Sequence, residues 1–412
     1  MIRFRAAATL LALVAAPALA YDAPKHAGEP PERVRPLKTT IAAPVEVPMG
    51  SMAGRPTIDV MIDGKGPFRF LVDTGAGTTV INQDLAKELG LAIIDTTRIG
   101  DPMNPNAIKA DVVQVPTMTI GDARFETFAA ASWDRGYLIR AGETNPPRGV
   151  IGFPVFRELL VTFDYVDKKL RLAPGSLPKA DGKSVIPYDA PMGIPEFTVN
   201  VGGVDVTTHL DTGSGGFYSV PKRYLEKLKF KGPLEEVGRA RTVNTEMVLK
   251  GAELDGTLSL GQFAWEKPFV IVSDELPMGN LGGQALASFA ITFDQRAQAM
   301  KFEQKGPLVA GRPTRHTSQV AQAANASAPG PPVSGLRFGS HGGPSDLFVY
   351  DVAADSPAAK AGVTPGEKVL EVNGTPIASM AEDQVKGAMR TSPLKLKLLK
   401  DGTAHEVTIV FP

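Results

Sequence analysis

Phe68-Arg69-Phe70-Leu71-Val72-Asp73-Thr74-Gly75-Ala76-Gly77 and Val206-Thr207-Thr208-His209-Leu210-Asp211-Thr212-Gly213-Ser214-Gly215 are the two stretches on which the reading of this chain turns. In both, an apolar strand ends on Asp-Thr-Gly and runs on into small residues. A single such triplet is explained by an Asx turn, because Asp bonds its own backbone and Gly accepts unusual dihedrals. Here it recurs with a second element. Ile151-Gly152 lies 78 residues past Asp73, and Leu281-Gly282 lies 70 past Asp211. Residues 149–172 and 279–302, aligned at an offset of 130, share Gly149/Gly279, Gly152/Gly282, Thr162/Thr292, Phe163/Phe293 and Asp164/Asp294. Two motifs in the same order point to an internal duplication.

Working outward, both copies read as short alternating strands, such as Thr57-Ile58-Asp59-Val60-Met61-Ile62 and Phe197-Thr198-Val199-Asn200-Val201, broken by Gly turns. One amphipathic helix is expected per copy, at Gln83–Leu89 and at Pro221–Leu228. Trp133 and Trp265 are expected at corresponding core places. The fold class is mainly β, with lobes at 45–175 and 183–303 separated by the Pro174-Gly175-Ser176-Leu177-Pro178 break. Residues 304–334, with Ala-Ala-Asn-Ala-Ser-Ala-Pro-Gly-Pro-Pro, read as a linker, and residues 335–412 as a further module. Residues 21–44 read as a mobile leader. Arg3 and Arg5 before an apolar run ending in Ala18-Leu19-Ala20 read as a secretory signal peptide over residues 1–20. A periplasmic or secreted protein is therefore expected.

Composition narrows the chemistry. The 412 residues include no cysteine, which excludes thiol catalysis, disulfides and Cys-ligated metals. The five histidines lie far apart, so a His-rich metal site is not expected. Equal numbers of basic and acidic residues, 44 each, give no electrostatic pull toward nucleic acid. No stretch after the signal peptide reaches the roughly 18 apolar residues of a membrane span. Neither a Gly-x-Ser-x-Gly elbow nor a phosphate-binding loop occurs. Paired carboxylates remain. Two of them about 3 Å apart share a proton, so one can take a proton from water while the other donates to a carbonyl. Each repeat supplies half of such a site.

These residues resemble the pepsin-like and retropepsin-like aspartic peptidases, over roughly residues 45–303. Leu71-Val72-Asp73-Thr74-Gly75-Ala76 matches that signature in full. The second copy departs from it at His209 and at Asn280, where the family has apolar residues. The resemblance implies catalytic Asp73 and Asp211, and supporting turns with Thr74, Gly75, Thr212 and Gly213. It also implies a two-lobed double β-barrel (a fused retropepsin-like pseudo-dimer) and flaps within 97–112 and 235–250. No cofactor or metal is implied, and the substrates would be extended or unfolded polypeptides. The alternative left open by His209 and Asn280 is a weak or inactive protease-fold scaffold.

The last module resembles PDZ domains of exported bacterial proteases, through Gly335-Leu336-Arg337-Phe338, the strand Leu347–Val352, Ser356-Pro357-Ala358-Ala359-Lys360-Ala361-Gly362-Val363 and Val369-Leu370-Glu371-Val372-Asn373-Gly374. That resemblance implies capture of a C-terminal peptide as an added strand. Gly335, Leu336, Arg337 and Phe338 would form the carboxylate loop, and a helix near Glu382–Met389 the far wall of the groove.

Overall fold

In a computed structural model of the chain, the described residues are 32–99, 108–133, 145–190, 193–241, 246–273, 276–311, 334–340, 347–353, 355–380, 382–400 and 402–411. Residues 1–20, read as a signal peptide, and residues 21–31 of the leader lie outside them. Alternation of apolar and polar residues decides the strands. Arg55–Ile62 and Lys65–Asp73 form one antiparallel pair, and Glu196–Val201 and Val204–Asp211 its counterpart. Each pair belongs to a nine-stranded sheet. In the first sheet Ile108–Ile120 pairs with both Arg55–Ile62 and Ala123–Ser132, so its hydrogen-bond order runs back on itself. The second sheet has no such closing pair among the described residues.

Between the lobes lies a six-stranded sheet to which both contribute. At its centre Leu160–Asp164 runs antiparallel to Phe289–Asp294, with Thr162 directly opposite Thr292. The two hydroxyls meet at 2.8 Å. These are the equivalent threonines of the duplicated block, so a local two-fold axis passes between them. The aspartates that end the strands are buried and cap matching turns: Asp164 accepts from the Asp167 N–H, and Asp294 from the N–H groups of Arg296 and Ala297. Lys305 closes on Asp164 at 2.6 Å, giving that buried charge a partner. Phe163, Phe293 and Phe153 pack edge-to-face here, and a continuous apolar core spans both lobes.

Several expectations are corrected. The second half of the leader is ordered into the sheet: Lys38–Thr40 pairs with Arg124–Glu126, and Val34 is buried. An exposed backbone edge offered those residues partners, which composition alone cannot reveal. The linker begins later than residue 304. Gln304 still pairs with Phe289, and Leu308 and Ala310 pack against the core. The helix Gln83–Leu89 forms as expected and ends on left-handed Gly90. Its counterpart is a 3-10 helix, Lys222–Lys227, with no buried residue and an extended Leu228 at its end. Only Tyr224 and Leu225, both partly buried, pack against the core from this turn, little to hold a longer helix. Trp265 is buried in a strand opposite Leu258, as Phe125 is opposite Met118. Its counterpart is therefore Phe125, and the half-buried Trp133 follows a strand instead.

Residues 334–411 build a separate six-stranded sheet and an apolar cluster of their own. The strand Leu347–Val352 and the helix Glu382–Ala388 fall where expected. Phe348 packs against Ile194 and Met278 of the second lobe.

Candidate active site

Strand pairing brings the two motifs of each repeat together. Gly152 is the parallel neighbour of Asp73, and Gly282 that of Asp211. The spacings of 78 and 70 residues are therefore two routes to one juxtaposition. Beyond each Asp the chain turns in the same way. Ala76 N–H bonds to Asp73 C=O, and Ser214 N–H to Asp211 C=O. The Phe153 N–H then reaches Ala76 C=O at 2.9 Å, and the Gly283 N–H reaches Ser214 C=O at 2.8 Å.

The two turns interlock through their threonines, both buried. Thr74 Oγ1 donates to Leu210 C=O at 2.6 Å and accepts from the Thr212 N–H at 3.1 Å. Thr212 Oγ1 donates to Val72 C=O at 2.8 Å and accepts from the Thr74 N–H at 2.9 Å. Each hydroxyl thus satisfies a backbone donor and acceptor of the opposite repeat, and four buried groups are accounted for. Asp73 and Asp211 are brought into hydrogen-bond contact across this lock. The glycines are needed for closeness: a Cβ on Gly75 would sit 3.0 Å from Asp211 Oδ1, and one on Gly213 would collide with the Asp73 carboxyl. Gly75 N–H also donates to Asp73 Oδ1 at 2.8 Å.

Burial raises the Asp211 carboxyl above its ordinary range, while Asn280, Asp73 and the N–H groups of Gly213 and Ser214 act in the opposite sense. The hydroxyl of the partly buried Tyr165 lies out of solvent near both carboxylates, and its phenol is pushed up by desolvation and by their charges. Two bonds were not foreseen. Asn280 Nδ2 donates to Asp211 Oδ2 at 2.6 Å and lies 2.8 Å from His209 Nε2. The two departures from the family pattern therefore touch each other and the acid. Their place in the sequence marked them as unusual, but only strand register shows the contact.

Residues 58–155 match the aspartyl protease family model, and residues 348–400 match that of the PDZ domain. The chain contains an aspartyl protease domain and a PDZ domain. No curated protein matches it. The protease match includes Asp73; the second lobe is tied to it by the repeat and by the interlocked turns. Within the PDZ domain, Gly335 is left-handed at φ 81°, and a Cβ there would strike Ser356. The expected carboxylate loop is shorter than four residues: Leu336, Arg337 and Phe338 already belong to the strand Leu336–Ser340, with Leu336 and Phe338 buried. Burial of Leu336 and Phe338 holds the segment in the sheet. That strand is at the sheet edge, paired only with Leu347–Val352 among the described residues. The segments expected to hold flaps form antiparallel hairpins, Ile93–Ile99 with Ile108–Ile120 and Glu235–Arg241 with Glu246–Glu253. Their tips lie outside the described residues. Among the described residues no cluster of His, Asp and Glu could hold a metal, and no helix is long and apolar enough to cross a membrane.

Proposed function

We propose that the chain is an exported aspartic-type endopeptidase acting through Asp73 and Asp211, with a PDZ domain that recruits or positions polypeptide substrates. The observation that carries this reading is the threonine lock, which holds two carboxyls of a duplicated motif in contact with one another. Sharing one proton, the pair can bind a water between them. The ionised carboxylate takes a proton as the water oxygen bonds to the peptide carbon. The protonated carboxyl hydrogen-bonds the carbonyl oxygen as negative charge builds there. Transfer of that proton to the oxygen gives a diol. Its collapse breaks the C–N bond as the leaving nitrogen takes the proton that the first carboxyl received from water, and a diol hydroxyl returns a proton to the other carboxyl. No cofactor enters this scheme.

An extended peptide between the lobes supplies the substrate, and the place of Leu336–Ser340 at the sheet edge among the described residues supports strand addition of a peptide tail by the PDZ domain. Periplasmic or secreted residence rests on the signal-like residues 1–20. Asp73→Asn and Asp211→Asn, each assayed on an unfolded protein between about pH 4 and 7, test the reading. Either change should lower kcat by about 10²–10⁴-fold with the fold intact. Wild-type cleavage by either variant would overturn the shared dyad.

A further inference from the structure

The two lobes differ at one row of residues behind the aspartates. In the first lobe, strand register aligns Thr57, Leu71, Val150 and Val80 across the sheet. Leu71 and Val150 are buried there in a small apolar cluster with Met52. In the second lobe the same register aligns Glu196, His209, Asn280 and Ser219. A row with a single polar member, Thr57, has become polar at every position. Replacing buried apolar residues by polar ones is costly unless hydrogen bonds compensate, and here the compensating bonds lead to Asp211.

Residues in register on adjacent strands share a face, and so do residues two apart on one strand. His209, Asn280 and Asp211 therefore form one continuous group. The Asn280 amide nitrogen has two hydrogens. One is directed at Asp211 Oδ2, at 2.6 Å, and the other at His209 Nε2, at 2.8 Å. A neutral imidazole accepts at Nε2 only when its hydrogen is on Nδ1. That tautomer holds the amide with its nitrogen, not its oxygen, toward Asp211. Val150, at the equivalent position behind Asp73, has no donor to offer.

We propose that Asn280, held by His209, is a positioning residue that makes Asp211 the ionised member of the dyad. Asp211 then takes the proton from water as the water oxygen bonds to the carbonyl carbon. Asp73 gives its proton to the carbonyl oxygen, which receives the electron pair of the broken π bond. The assignment of roles rests on the endopeptidase reading; the asymmetry of the two carboxyls does not. Burial keeps His209 neutral, pulling it down to about 4. The charged and titratable groups around it are Asp211 on its own strand, Glu196 opposite it on the neighbouring strand, and Asp73 on the facing turn, with Tyr165 beside both carboxyls. Below about pH 4, a protonated His209 would need an acceptor at Nε2, and the amide would turn its oxygen there and withdraw its donor from Asp211.

The test compares Asn280→Val, the double change His209→Leu with Asn280→Val, and His209→Gln, all in the full chain. The double change copies the Leu71 and Val150 pair that the first lobe already packs, so folding is expected and is checked by thermal melting. A lost N–H donor raises a carboxylate's pKa, so both chains carrying Asn280→Val should move the acid limb of kcat upward by about one pH unit. KM should stay nearly constant. Carbon-13 NMR of the aspartate carboxyls should show the lower dyad titration moving the same way. His209→Gln offers Asn280 an amide oxygen as acceptor and should keep the wild-type limb. Superposition of the Asn280→Val titration on wild type would overturn the proposal. If the wild-type chain cleaves nothing, the endopeptidase reading falls, while the NMR titration still decides whether Asn280 governs Asp211.

Discussion

At the scale of residues, Glu196 carries a signature of its own. Its Oε1 is buried without a hydrogen-bond partner among the described residues, as is Nδ1 of His209 across the strand pair. Desolvation, and then the nearby charge of Asp189, lift Glu196 to about 7. The folded chain therefore keeps a proton that the unfolded chain releases above its ordinary carboxylate range. Stability attributable to this group is present at acid pH, declines as pH rises from about 4.5 to 7, and is flat above that. His209 works in the other direction. Its depressed pKa makes stability fall as pH drops from about 6.5 toward 4. Glu196→Gln should remove the first slope and leave the second. Relative to wild type the variant should gain stability between about pH 4 and 8, by no more than about 3 kcal/mol. Urea melts across that range measure it, and parallel pH profiles for the two chains would refute the assignment.

Among the elements, the crossed threonine turns do most to join the lobes at the site. Thr212→Val keeps the shape of the side chain but strands the Val72 carbonyl and the Thr74 N–H in a buried place. Two such losses should cost about 2–4 kcal/mol. Cleavage should fall as well, because the carboxyls depend on these turns for their contact. Thr212→Ser keeps the hydroxyl and should recover most of both. A melting temperature lowered more by Ser than by Val would mean that the methyl group, not the lock, matters at this position. Turn chemistry of this kind was readable from the recurring triplets, since Thr and Gly following Asp in both repeats have few other reasons to recur. Identity of the crossed partners was not, because Leu210 and Val72 act through backbone carbonyls that any residue would offer.

For the whole molecule, the local axis through Thr162 and Thr292 makes the protease region one body built from two repeats. Residues 334–411 have a separate core and sheet. A chain ending at Gly311 should therefore fold and cleave short peptides at close to the full-chain rate, while losing efficiency on substrates whose tails the PDZ domain binds. Comparing kcat/KM on a short peptide and on a long unfolded protein measures the difference. Truncation also uncovers Ile194 and Met278, on which Phe348 rests, so a modest drop in solubility is expected alongside it.

The sequence by itself determined the repeat, the mainly β class, the two aspartates and the PDZ domain. These depend on local patterns: strand alternation, turn residues and two motifs that recur in the same order. Only tertiary structure decided that Lys38–Thr40 joins a sheet, that Phe125 and not Trp133 is the counterpart of Trp265, and that Asn280, bonded to His209, reaches Asp211. Each of those depends on pairing between strands distant in the chain, and a register shift of one residue would turn every side chain to the other face. From sequence, His209 and Asn280 read as damage to a half-site; register makes them a hydrogen-bonded support for its acid.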